Sequence, residues 1–186
     1  MSNITKFYLL FGMAFMNFIY SMTSPIIHIY FMRLISSEIL AMANIITTAL
    51  AAIVNVTIQS DKLRDIYRHN FLYIVLIDVI CFIFINIESL TIPEIRYLGL
   101  AVLNAVSTVL WFTIISDAIN HQIEGTTLTK WTSLNNTVKL IAALIGSLIA
   151  IVFNSTLEVE YCIILQCIAN MIMGITDYKV YNAIKY

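Results

Sequence analysis

Hydrophobic residues in this chain come in long blocks, and the charges stand between the blocks. Residues 7–32, 39–59, 97–116 and 161–176 hold no Asp, Glu, Lys or Arg; 71–87 hold only Asp78, and 131–153 only Lys139. About 20 apolar residues, rising 1.5 Å each, cross the roughly 30 Å of hydrocarbon in a bilayer. Strict apolar–polar alternation, which a membrane barrel needs, is missing from all six blocks. Inside lipid, backbone N–H and C=O groups must be satisfied within the segment, so each block is expected as a helix. The pattern predicts an all-α integral membrane protein of six transmembrane helices, forming one domain over residues 1–186.

Composition narrows the function classes. Charged residues make up 11% of the 186, against about 25% in a soluble domain. The net charge of -1 leaves no basic footprint for nucleic acid. Cys81, Cys162 and Cys167 all lie inside apolar blocks and read as small buried hydrophobes. The first block is far longer than the roughly 7–15-residue core of a cleaved signal, so no cleaved leader is expected. No phosphate-binding loop, HExxH or GxSxG motif occurs, so neither an enzyme, a cofactor nor a metal site is expected.

Lysine and arginine set the expected orientation. With the amino terminus inside, Lys6, Lys62, Arg64, Arg68, Lys130, Lys179 and Lys185 fall on inner segments, and only Arg33 and Arg96 fall outside. Both termini are therefore expected in the cytoplasm, with the protein in the plasma (inner) membrane and lipid as its surroundings.

Polar residues within spans are costly, so their placement carries information. Asn17, Ser21, Ser24 and His28 recur at i, i+4, i+7 and i+11, one helical face beside the helix-kinking Pro25. Asn104, Ser107, Thr108 and Trp111 share a face of the fourth block, and Asn136 and Lys139 one of the fifth. In that fifth block Ala143, Gly146 and Ala150 are small enough for close backbone approach. Asp78 and Lys139 stand seven and eight residues beyond the inner starts of their blocks, both about 10–12 Å deep. Equal depth permits an ion pair, a proton relay or a counter-charge for substrate.

The layout resembles the amino-terminal half of a major facilitator superfamily transporter. That family's inner loop runs Gly-x-Leu-Ala-Asp-Arg-x-Gly-Arg-Arg. Here the stretch from Asp61 to Asn70 falls in the same place, with Leu63 and Asp65 matching. Asp61 and Arg68 occupy the two glycine places, and the closing basic pair is His69-Asn70. The resemblance implies nested 3+3 inverted repeats and a gating role for Asp61, Leu63, Asp65 and Arg68, facing Asp117. It also implies that Asn17, Ser21, Ser24, His28, Asn104 and Trp111 line a cavity. A lone half leaves that cavity open to lipid, so a second copy in parallel orientation is the expected partner. The function so implied is a homodimeric half-size transporter moving a small solute by alternating access. Two other readings stand beside it. One is a substrate-capture subunit of an energy-coupling importer, docking through small residues of the first helix such as Gly12 and Ala14. The other is a non-transporting membrane partner of the immunity type.

Overall fold

The computed structural model describes residues 3–58, 60, 65–66, 69–70, 73, 76, 79–80, 83, 87, 92–102, 105, 119, 126–153 and 156–184. Four long helices are formed among them: α1 (Asn3–Leu34), α2 (Ser37–Ile58), α3 (Thr126–Phe153) and α4 (Val159–Ile184). Residues 93–102 are also helical. All four long helices are apolar enough to cross a membrane, as a membrane-embedded protein requires.

The expectation of six spanning helices is corrected by this count: four helices, not six, meet that requirement among the described residues. The nested 3+3 repeat that six spans would build is withdrawn with it. The third block, 71–87, is 17 residues long and carries Asp78, already short of the roughly 20 that a span needs. Its described residues Tyr73, Leu76, Ile80 and Ile83 are helical and exposed. The fourth block overlaps the helical stretch 93–102, which opens on Pro93 and carries Glu94 and Arg96. Most of the rest of both blocks lies outside the described residues.

Helix ends differ from the charge-to-charge reading. α3 begins at Thr126, five residues before the apolar block, and α4 runs on to Ile184, eight past it. α1 continues through Pro25, although proline has no N–H to offer the Ser21 carbonyl. Ser36 caps α2, its Oγ accepting from the Ile39 N–H at 3.4 Å. Hydroxyls within the spans are satisfied by their own helices. Thr23 Oγ1 donates to the Ile19 carbonyl at 2.7 Å, Thr48 to Asn44 at 2.7 Å and Thr137 to Ser133 at 2.9 Å.

The chain divides into two compact units, Met1–His28 with Ile115–Tyr186, and Ile29–Ile114. In the first unit, contacts set the register of three helices. Lys179 lies over the Tyr8 ring, Thr176 meets Gly12, Asn170 bonds Tyr20, and Gln166 bonds Thr23. Rising numbers on α1 thus meet falling numbers on α4, so the two run antiparallel. On α3, Trp131 clusters with Leu9, while Gly146 meets Phe18 and Met22, so α3 runs parallel to α1. Half of the apolar stretch of α4 is buried, against 11% for α3; α4 is the inner helix, and α3 shows most of its surface outward.

Two apolar clusters bracket this unit. Leu9, Ile119, Trp131 and Val180 close one end, with Tyr181 packed on them. Ile19, Met22 and Ala169 form the other. Gly146 packs at the second cluster, where an added Cβ would collide with the Phe18 carbonyl and come within 3.2 Å of the Met22 nitrogen. The small residue therefore serves α1–α3 contact inside the chain.

In the second unit Phe31 is fully buried and packs on Tyr97, ring centroids 5.3 Å apart. Ile39, Met42, Ala43 and Ile46 of α2, with Ile95 and Leu98, line an apolar groove of about 160 Å³ beside Glu94.

Candidate functional site: a buried polar seam

The inner face of α4 is polar along much of its length. Gln166, Asn170 and Asp177 stand at i, i+4 and i+11, which places them on one side of a helix. All three are buried, at 3%, 1% and 1% exposure. In hydrocarbon such groups need partners, because an unmatched polar group there costs several kcal/mol (order of magnitude).

The upper part of the seam is well matched. Gln166 Nε2 donates to Thr23 Oγ1 at 3.0 Å and to Ser24 Oγ at 3.1 Å. Asn170 Nδ2 donates to the Tyr20 hydroxyl at 2.7 Å and to the Gln166 carbonyl at 3.0 Å. These bonds tie α4 to α1 on either side of one turn. The Asn170 side-chain oxygen has no hydrogen-bond partner among the described residues.

The lower part centres on Asp177. It lies six residues before the end of the apolar stretch at Ala183, about 9 Å along the helix. The α1–α4 register brings this level of α4 against Gly12, where the absence of a side chain lets Thr176 approach closely. From α3, the half-buried Lys139 reaches Asp177 electrostatically. One carboxylate oxygen, Oδ2, has no hydrogen-bond partner, and neither has the buried Oδ1 of Asn135. Asn135 stands one turn before Lys139 and so shares its face of α3.

A carboxylate in this setting has two ways to shed its charge. It is compensated by the neighbouring ammonium, or it takes up a proton. A group able to alternate between the two links charge movement to helix contacts. Among the described residues no three His, Cys, Asp or Glu side chains gather as a metal site. Cys162 is buried and Cys167 half-buried, and neither is in a disulfide.

The structure brings some of the expected site residues together and separates others. Lys139 lies at the seam. Ser24 joins it through Gln166. Asn17 and Ser21 are half-buried, and the Asn17 amide donates to the Met13 carbonyl at 2.8 Å. His28 is exposed, as is Asn136. The stripe expected on α1 therefore straddles the edge of the buried face, which runs instead through Leu9, Met13, Ile19 and Thr23. Asp65 is exposed, its backbone carbonyl 2.7 Å from His69 Nδ1. Asp61, Leu63, Arg68, Asp78, Asn104, Trp111 and Asp117 lie outside the described residues, as does Cys81.

Asp177 is the residue the apolar pattern passed over. A span drawn to the first charge ends at Thr176, one residue short. The signal lay in its spacing from Gln166 and Asn170. Asn135 was missed likewise, beside Asn136.

A search of protein-family models, of curated proteins and of solved structures finds no match to this chain.

Proposed function

We propose that this chain is the subunit of a membrane transporter for a small solute, with Lys139 and Asp177 as the charged element of its pathway. The observation that carries the reading is Asp177: 1% exposed inside an apolar helix, one oxygen unmatched, with a lysine on the facing helix. Pairs of this kind are expensive in hydrocarbon, and well-packed apolar side chains in their place are often as stable or more so. Intramembrane ionisable groups therefore mark ion and substrate paths by default. The reading stands on the seam and not on the loop between Asp61 and Asn70.

Charge placement supports cytoplasmic termini. Lys6, Lys130 and Lys179 all fall at the end of the first unit where Tyr8, Leu128 and Tyr181 cluster, and basic residues favour the inner side. A second copy as partner is supported by Asn136, exposed on α3 eight residues past Leu128. A carboxamide both donates and accepts, so the same residue of a two-fold partner satisfies it. Docking of a different subunit through the small residues of α1 is disfavoured, because Gly12 is already covered by Thr176.

The test is electrical. Proteoliposomes are adsorbed on a solid-supported membrane and challenged with amino acids, sugars, organic cations and organic anions, with and without a pH gradient. Solute-dependent currents are expected in the wild type and lost in Asp177→Asn and Lys139→Ala. Currents untouched by both substitutions, or no current with any solute, overturn the reading.

A further inference from the structure

The seam also bears on which ion is handled. Two side-chain oxygens with no hydrogen-bond partner, Asn170 Oδ1 and Asp177 Oδ2, sit on the same face of α4, seven residues apart. That is about 10.5 Å along the helix, and both residues are 1% exposed. A third, Asn135 Oδ1, lies on α3 one turn from Lys139. All three are acceptors, so the deficit is of donors. Buried groups of this type are ordinarily satisfied, and exceptions call for an explanation.

Building on the transporter reading, we propose that the seam is a proton-binding site, with Asp177 as the proton carrier and Lys139 as its resident counter-charge. A hydronium ion supplies the donor that Asp177 Oδ2 lacks. It passes its proton to Asp177 Oδ2, leaving water and a neutral carboxyl. That carboxyl is a donor where the carboxylate was an acceptor only. Lys139 keeps its own proton and loses the charge that held it. A metal cation fits less well. Asp177 carries one negative charge, the ammonium of Lys139 already answers it, and a second cation at the same carboxylate would meet repulsion in a low dielectric.

The surroundings contain few competing groups among the described residues. From α3 the facing charge is Lys139. From α1, Leu9 to Met16 offer no titratable side chain, and Tyr8 stands at the level of Lys179. On α4 Tyr178 and Lys179 follow Asp177 and Tyr181 stands one turn on, on the same face; Lys179 turns to the Tyr8 ring, 5.1 Å from its centroid.

Infrared difference spectroscopy of the full chain in lipid nanodiscs tests this without any substrate. Titration with acid is expected to raise a protonated-carboxyl band that shifts in heavy water, vanishes in Asp177→Asn, and moves in frequency in Asp177→Glu. Sodium or potassium at constant pH is expected to leave it unchanged. Circular dichroism confirms that each variant is helical. If Asp177→Asn fails to fold, the frequency shift in Asp177→Glu makes the assignment. The proposal falls if no such band belongs to residue 177 at any pH where the protein stays helical, or if an alkali cation removes it. A band present without any solute current defeats the transporter reading alone. Solute currents that need Asp177 in a protein lacking the band defeat the proton alone.

Discussion

Removing Lys139 strands the Asp177 carboxylate, and the size of the effect follows from the two burials. Asp177 is 1% exposed, whereas Lys139 is half-buried on a helix with most of its surface outward. Breaking a buried pair by deleting one partner costs about 3–5 kcal/mol when the other charge stays behind. Lys139→Met should fall in that range near neutral pH, because Asp177 has nowhere to go. Asp177→Leu should cost less, about 1–3 kcal/mol, because a freed lysine can extend its stem toward the interface. The double variant Lys139→Met with Asp177→Leu should recover most of the loss, since no charge remains to be buried. The coupling between the two sites is then at least about 2 kcal/mol. The sign with pH is also set: acid neutralises the stranded carboxylate, so the cost of Lys139→Met must shrink as pH falls. Equilibrium unfolding in mixed micelles, followed by circular dichroism, measures all four corners of the cycle. Additive effects, or a Lys139→Met cost that is small and independent of pH, would refute the assignment of Asp177 as the partner of Lys139.

Further outcomes follow from the same packing. Gly146→Ala should destabilise by about 1–3 kcal/mol, because its Cβ meets the Phe18 backbone, which cannot rotate aside; a thermal scan in detergent checks it. Gly12→Ala should cost less and be relieved by Thr176→Ala, since the obstacle there is the Thr176 side chain; no relief in the double variant would contradict the α1–α4 register. Gln166→Leu should cost about 1–3 kcal/mol in the same scan, because it deletes the donor bonds to Thr23 and Ser24. Cys162, buried, should resist a membrane-permeant maleimide until the protein is heated, while half-buried Cys167 reacts sooner, as peptide mapping by mass spectrometry would show.

Much of the fold was legible because the demand that lipid makes is local. Long apolar runs such as 39–58 and 131–153 have to be helical wherever they pack, and α2 and α3 cover them. The intramembrane lysine was legible for the same reason. Asp177 was not: it stands beyond the point where the apolar run stops, and only the structure sets it within reach of Lys139. The number of spanning helices was also misjudged: four, not six, are long and apolar enough among the described residues.

The sequence by itself determined that this is a helical, lipid-compatible chain with costly polar groups inside its spans. Only the tertiary structure decided which of those groups meet. Each residue turns a helix by about 100°, so a shift of one position moves a side chain from the seam to the outside. Asn135 rather than Asn136, and Thr23 rather than Ser21, face inward for that reason. Spacing within a helix defines a face, and the rotation and register of the neighbouring helix, set by contacts such as Gly12 with Thr176 and Gly146 with Phe18, define what that face touches.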